Sequence, residues 1–297
     1  MIGYIKALLE PFITQKPHKT LAYYRYHLPR ARYHLQHTAP QFDQIKGYCM
    51  FLGYPRSSHT LIGAMLDAHP NMVVAHELSV LELLPKADRN WIIARIIAQS
   101  EWFINKNNAQ WTGYSYKIPN QWQGKFQELQ VVGDKKGGVS TRILAQNPAV
   151  LDQLQQKLQL PIQLIHVVRN PFDVITTMAS WNGEKRRTDI TTTHLQQEIN
   201  NFFMRVEAVD KVKKAQKYPL FDLYNEDLIA NPTEILRQLC LFLHVTPTED
   251  YLKDCASVVF SQSKKSRNIA NWTAELRQQV QQKINQYDFL QRYNFDN

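Results

Sequence analysis

The chain has 297 residues, of which 44% are hydrophobic and 21% are charged, as expected for a globular protein with a sizeable core. Its 35 Lys and Arg residues exceed its 26 Asp and Glu residues, and the resulting net charge of +9 favours an anionic partner such as a phosphorylated cofactor, nucleic acid or an anionic membrane surface. Three cysteines are too few for a disulfide framework, and their spacing matches no metal site. We therefore expect a reducing, cytoplasmic setting and no bound metal.

Residues 1–44 are interpreted as a basic, aromatic helical arm that precedes a single domain at 45–297. Apolar residues recur at helical spacing from Ile2 to Phe12, and basic residues and tyrosines follow them. This pattern fits a helix that packs on its own domain, a helix in peripheral contact with a membrane, or a contact with an acidic acceptor. No apolar run is long enough to span a bilayer, and charges and a proline interrupt the first residues too soon for a secretion signal.

Short apolar runs alternate with helical patterns along the rest of the chain. The predicted strands are Tyr48–Leu52, Ile162–Val168 and Leu220–Tyr224, and the helices that follow them are predicted at Thr60–Ala68, from Pro171 and at Pro232–Leu243. Repeated strand–turn–helix units predict an α/β fold, a three-layer domain with a central parallel sheet. Residues 80–160 are predicted to be helical insertions between strands. The loops at 53–60, 169–171 and 225–231 are then expected at the carboxyl edge of the sheet, where ligands bind.

The first of these loops, GYPRSSHT at 53–60, is predicted to bind an anion. Ser57, Ser58 and Thr60 supply hydroxyl groups where a helix begins, and the first amides of a helix have no partner inside it. Arg56 adds a guanidinium suited to a tetrahedral oxyanion. The loop lacks the GxxxxGK[ST] pattern of phosphate-binding NTPases, and no strand-end aspartate clearly holds Mg²⁺, so metal-assisted transfer from ATP is disfavoured.

The same loop resembles the 5′-phosphosulfate loop of sulfotransferases that use 3′-phosphoadenosine 5′-phosphosulfate (PAPS). AMLDAHP at 64–70 is especially similar to the tyrosylprotein and carbohydrate branches of that superfamily. The family loop reads RSGTT, whereas this chain has Ser58 at the glycine and His59 at the first threonine. The resemblance implies a P-loop-like sulfotransferase fold and metal-independent donor binding by residues 56–60. His59 would act through its ring or its amide, or face solvent.

A second motif, IHVVRNPFDVITT at 165–177, resembles the family's 3′-phosphate site. Asn170 is a good helix N-cap and Pro171 a good first helical residue, so Arg169 leaves the strand where the helix amides open. The family places a hydroxyl eight residues after this arginine, and Thr177 has that spacing. SKKSRNIANW at 263–272 resembles the basic segment that closes over the same phosphate, with Arg267 as the preferred contact.

A third motif, LYNEDLIANP at 223–232, resembles the family's LYYEDL…NP element. The tyrosine that contacts the adenine in some members is replaced by Asn225 here.

The catalytic base is sought near residue 77, because the KTH histidine of the cytosolic small-molecule branch is absent. A glutamate follows the LDAHP stretch in the tyrosylprotein branch, and Glu77 occupies that position, with His76 as the alternative. VVGDKKG at 131–137 resembles the family's GDK element. This resemblance implies that Lys135, or Lys136 if the register differs by one, stabilises charge on the sulfuryl group or the bridging oxygen.

These motifs together predict transfer of a sulfuryl group from PAPS to an acceptor hydroxyl, by in-line displacement with a carboxylate base. The alternatives are an ATP- and Mg²⁺-dependent phosphotransferase and a non-enzymatic binder of anionic polymers or membrane surfaces. The cationic residues of these motifs are all expected at the carboxyl edge of the sheet, which suits a compact nucleotide better than nucleic acid. Trp111 and Trp181 are candidates for an acceptor pocket. The class of acceptor and the oligomeric state stay open.

Overall fold

The computed structural model describes residues 21–182 and 185–297, so the apolar pattern predicted from Ile2 to Phe12 lies outside the described residues. The strands are β1 (Gly47–Gly53), β2 (Met72–His76), β3 (Gln110–Trp111), β4 (Tyr114–Ser115), β5 (Val131–Lys135), β6 (Ile162–Val168), β7 (Trp181–Asn182), β8 (Lys185–Arg186) and β9 (Leu220–Tyr224). The helices are α1 (Leu21–His37), α2 (His59–Asp67), α3 (Val80–Leu83), α4 (Arg89–Asn105), α5 (Gly137–Gln146), α6 (Val150–Leu158), α7 (Pro171–Ala179), α8 (Thr192–Ala215), α9 (Asn225–Ala230), α10 (Pro232–Phe242), α11 (Glu249–Ala256) and α12 (Ala274–Ile284).

A five-stranded sheet in the order β2-β5-β1-β6-β9 forms the centre of the fold, and each neighbouring pair in it is parallel. Every residue of β1 is buried, as in a central strand covered by helices on both faces. All three predicted strands are present, and the prediction of a three-layer α/β domain is confirmed.

Alternate residues of β1 contribute to two separate hydrophobic cores. Tyr48, Met50 and Leu52 face the core that includes α4 and α6, because successive side chains of a strand point to opposite sides. Cys49 and Phe51 face the second core, which includes α2 and α10. The strand ends are therefore held rigidly from both sides, and the loops that follow them start from fixed positions.

Two parts of the predicted organisation are wrong. Residues 80–160 are not only helical insertions, because they contain β5, which lies between β2 and β1 in the sheet. This strand is short, and its sequence VVGDK includes glycine and two charged residues, a composition that disfavours strands. The predicted loop at 225–231 is largely the helix α9.

The described part of the predicted arm packs against the domain. The Tyr23 and Trp102 rings lie 5.1 Å apart between α1 and α4, and the Arg30 guanidinium binds the Glu101 carboxylate at 2.8 and 2.6 Å. The division of the chain at residue 44 stays a prediction. Across 21–182 and 185–297, helices with the length and apolar character needed to cross a bilayer are absent.

Candidate active site

A cavity of about 620 Å³ opens at the carboxyl edge of the sheet. Its wall combines most of the predicted site residues, namely Arg56, Ser58, His59, Thr60, Glu77, Lys135, Arg169 and Thr177, together with Lys136, Trp111, Trp181 and Asn225. Three predicted residues are buried outside this wall: Ser57, His76 and Arg267. Residues of the two motifs predicted to bind phosphate therefore line one cavity.

The first loop reaches this cavity through a sharply turned backbone. Gly53 has a φ of 122°, and a Cβ there would lie 2.9 Å from the Val167 carbonyl oxygen, so glycine is required. Arg56 and Ser58 also adopt left-handed conformations, with φ of 70° and 66°. Ser58 thus holds the conformation that suits the family's glycine, and its hydroxyl donates to Asn225 Oδ1 at 2.5 Å.

Donors at the start of α2 fit an anionic ligand. The Ser57 hydroxyl is fully buried and has no hydrogen-bond partner among the described residues. The Arg56 guanidinium lies 4.4 Å from the Trp181 ring centre, which holds its charge at the cavity wall. Ser57 lies outside the cavity wall, so Arg56, Ser58 and Thr60 are the residues of this loop whose polar side chains are placed beside a ligand in the cavity.

The His59 ring is directed toward the protein core. Its Nε2 lies 3.0 Å from the Leu52 carbonyl oxygen. Burial lowers the pKa of His59 to about 4, so the ring is neutral at pH 7 and Nε2 donates to that carbonyl. The ring therefore fixes the end of β1, which favours the backbone amide of His59 over its ring for donor binding.

Glu77 and two lysines form a charged cluster in the cavity wall. Lys135 Nζ lies 3.0 Å from Glu77 Oε1 and 3.0 Å from the Thr60 hydroxyl oxygen, while the Lys136 ammonium pairs with Glu77 Oε2. Burial raises the pKa of Glu77, but the charges of Lys135 and Lys136 outweigh it and hold this pKa well below its usual range. Burial lowers the pKa of Lys135, and Glu77 opposes that effect. Gly63 makes this arrangement possible, because a Cβ there would lie 2.7 Å from Lys135 Cγ.

Asp134 fixes the loop that carries Glu77, a role that the sequence analysis missed. Its carboxylate accepts hydrogen bonds from the amides of Leu78 and Val80, each at 2.9 Å. Glu77 itself has a φ of 57°, so this turn needs outside support. The acidic residue of the GDK element, next to the predicted lysine, is the sequence signal for this role.

The structure separates the two candidate bases. The His76 ring stacks on Phe103 with the ring centres 3.9 Å apart and lies outside the cavity wall. The Glu77 carboxylate lines the cavity beside Lys135 and keeps 20% of its side-chain surface exposed. Of these two residues, only Glu77 is thus placed to contact a ligand in this cavity.

Arg169 joins the two phosphate motifs. Its Nη1 donates to the Arg56 carbonyl at 3.0 Å and its Nη2 to the Lys264 carbonyl at 2.5 Å. Its Nε is buried and has no hydrogen-bond partner among the described residues. The predicted cap is present, because Asn170 accepts from the Phe172 amide and Pro171 begins α7.

Two other residues that are predicted to contact the ligand bind groups of the protein itself. The Thr177 hydroxyl donates to the Asp173 carbonyl at 2.7 Å while lining the cavity. Arg267 is 2% exposed and pairs with the Asp173 carboxylate at 3.0 Å. Lys264 and Ser266 of the same segment line the cavity instead. Arg267 thus anchors the basic segment to α7, and its direct contact with a ligand stays a prediction.

His166 lies outside the site, as its position in an apolar strand predicts. The ring is fully buried, with Nδ1 at 2.7 Å from Asp222 and Nε2 at 3.1 Å from the Tyr54 hydroxyl oxygen. Over residues 21–182 and 185–297, no group of three or more His, Cys, Asp or Glu side chains is placed to hold a metal ion.

Comparison with known proteins identifies the family. Residues 50–250 match the family model described as "Sulfotransferase family". The fold is similar to the sulfotransferase domain from the curacin biosynthetic pathway, with a TM-score of 0.51, 17% identity, and coverage of 82% of this chain and 99% of that one. A sulfotransferase domain from the Synechococcus PCC 7002 olefin synthase gives a TM-score of 0.48 and 17% identity, with coverage of 80% and 94%. A search of curated proteins finds no match. The chain belongs to the sulfotransferase family, as its motifs predict.

Proposed function

We propose that this sulfotransferase uses PAPS as its donor and an alcohol or phenol as its acceptor, with Glu77 as the general base. The observation that carries the proposal is the meeting of Arg56 and Arg169 in one cavity, joined by the bond from Arg169 Nη1 to the Arg56 carbonyl. Glu77 and Lys135 line the same cavity. One nucleotide with phosphate groups at both ends fits such a pair of anion sites.

The described residues would hold the donor at its two charged ends. The Thr60 hydroxyl and the α2 amides would bind the 5′ end beside Arg56. Arg169 and Lys264 would bind the 3′-phosphate at the start of α7. Bound there, the donor supplies a sulfuryl group whose sulfur gains a bond to the acceptor oxygen as its bond to the phosphate oxygen breaks.

Glu77 would take the proton of the acceptor hydroxyl. Its low pKa keeps it ionised at neutral pH, but the same low pKa makes it a weak base. Lys135 links Glu77 to the Thr60 hydroxyl, where a donor phosphate would lie. A phosphate oxygen at Thr60 competes with Glu77 for this ammonium, so donor binding raises the pKa of Glu77 toward a useful value. Lys135 then stabilises the charge that grows on the leaving oxygen.

Thermal unfolding with 3′,5′-adenosine bisphosphate tests the donor site. At 100 times its Kd, this nucleotide should add about 2.7 kcal/mol of apparent stability, without added metal. Stabilisation only by ATP with Mg²⁺ would indicate a phosphotransferase. A response only to nucleic acid or anionic vesicles would indicate a non-enzymatic binder.

The variant Arg169→Ala tests whether Arg169 binds the 3′-phosphate of the nucleotide. Because charged hydrogen bonds are lost, the affinity for 3′,5′-adenosine bisphosphate should fall by about tenfold to a hundredfold. The affinity for 5′-AMP should fall by much less. Arg142→Ala is the matched control, because Arg142 is exposed and lies outside the cavity wall. Equal weakening of both nucleotides by Arg169→Ala would refute the 3′-phosphate assignment.

A further inference from the structure

Two consecutive buried hydrogen bonds join helix α1 to the loop that carries Glu77. The Tyr23 hydroxyl donates to Gln99 Oε1 at 2.5 Å, and Gln99 Nε2 donates to the His76 carbonyl oxygen at 2.5 Å. Tyr23 is 3% exposed and Gln99 is 2% exposed. The His76 carbonyl belongs to the peptide group that connects His76 to Glu77. The second bond therefore holds the orientation of the His76–Glu77 peptide plane.

The His76 carbonyl sets the direction of these hydrogen bonds. A carbonyl oxygen can only accept, so the amide nitrogen of Gln99 faces it and Gln99 Oε1 faces Tyr23. The Tyr23 hydroxyl must then donate to Oε1. Each member of this chain thus has one orientation.

The backbone around Glu77 needs such support. Glu77 and Ser79 both have positive φ values, 57° and 68°, which are unfavourable for residues with a side chain. Asp134 holds the amides that follow Glu77, while Gln99 holds the carbonyl that precedes it. A strained turn persists only where its surroundings fix it, and here the supports come from both sides.

We infer that Tyr23 and Gln99 are positioning residues for Glu77, which hold the His76–Glu77 peptide so that the carboxylate stays at the cavity wall beside Lys135. The inference rests on the proposed role of Glu77 as the base. It extends the functional unit to a helix that precedes the residues matched by the family model, which begin at position 50.

The variant Tyr23→Phe removes the hydroxyl and keeps the ring. We expect faster amide hydrogen exchange at residues 77–80 in the ligand-free protein, because the turn loses its support. We also expect kcat to fall on the order of tenfold, since a small displacement of a catalytic group is costly. The Kd for 3′,5′-adenosine bisphosphate should stay within twofold. Turnover is measured with labelled PAPS and the best acceptor from a pool of alcohols and phenols.

Tyr251→Phe is the matched control. Tyr251 is 1% exposed, and its hydroxyl donates to the Met65 carbonyl at 2.9 Å in a different core. This variant should lose a similar amount of thermal stability, with unchanged kcat and unchanged exchange at residues 77–80. If Tyr23→Phe changes neither quantity more than Tyr251→Phe does, the positioning role is overturned.

The double variant Tyr23→Phe with Glu77→Gln separates this inference from the proposed function. If Tyr23 acts through the carboxylate, Tyr23→Phe should lower kcat in the wild-type background and have little further effect in Glu77→Gln. An equal fold-loss in both backgrounds overturns the positioning role and leaves the base assignment intact. Full activity of Glu77→Gln alone overturns the base assignment, whereas the exchange at residues 77–80 still reports whether Tyr23 holds the turn.

Discussion

The two ends of the cavity use their charged side chains in different ways. At the end with Glu77, the charged groups pair with each other and stay on the wall, where Lys135 also reaches Thr60. At the end with Arg169, two of its guanidinium nitrogens bind backbone carbonyls, and nearby Arg267 is buried against Asp173. At the first end the charged groups pair with one another beside the cavity. At the second end the charged groups are bound mainly to the backbone and to a buried carboxylate.

The difference shows why a cationic residue in a motif does not have to touch the ligand. An isolated charge is costly to remove from water, so a buried arginine such as Arg267 gains from a charged partner. Asp173 supplies that pair, and it also accepts from the Arg267 amide at 2.9 Å. The side chain is then committed to the fold, and the backbone and neighbours of the same segment remain to form the wall.

The largest expected effect is on turnover at the first end. Glu77→Gln should lower kcat by about 10²–10⁴-fold, because the amide cannot accept the acceptor's proton. Binding of 3′,5′-adenosine bisphosphate should be nearly unchanged, as measured by titration calorimetry. The control is Glu249→Gln, which removes a carboxylate from an exposed ion pair with Arg237. Retention of full turnover in Glu77→Gln would remove the proton-transfer role from this end.

A stability effect is expected at the second end. Arg267→Ala should lower the free energy of unfolding by about 3–5 kcal/mol, because Asp173 is left buried without its partner. Replacement of both, as Arg267→Met with Asp173→Leu, should be much less destabilising. Urea unfolding measures both variants. Unchanged stability with a large loss of nucleotide affinity would instead support the direct contact that the motif predicts.

The smallest expected effect is on the pH dependence of the free energy of unfolding. The folded pKa of His59, about 4, is below its ordinary value of about 6.5, so its stabilising contribution is complete above pH 6.5 and is lost as the pH falls toward 4. The loss should reach about 3 kcal/mol in the wild type. His59→Gln keeps a donor for the Leu52 carbonyl but does not titrate. Denaturant unfolding between pH 7.5 and 4.5 should therefore show a flatter profile in this variant, and parallel profiles would contradict the assignment.

The paired substitutions in the motifs are explained only by the three-dimensional structure. In sequence, Ser58 at the family's glycine and Asn225 at its tyrosine are two unrelated departures. In the structure they bond to each other across the cavity, and Asn225 also reaches the Ser263 hydroxyl at 3.3 Å. One hydrogen bond thus joins the two motifs, a contact that spacing along the chain does not reveal.

The sequence by itself determined the α/β class, the three predicted strands and the two loops that line the cavity. These features are local, since burial on both faces leaves a continuous apolar run and a helix start leaves its capping residues. The tertiary structure alone decided that β5 lies between β2 and β1, which brings Lys135 beside Glu77. It also decided that Glu77 and not His76 lines the cavity, and that Arg267 is paired with Asp173. Strand order and side-chain pairing join residues that are distant in the chain, so local periodicity carries no record of them.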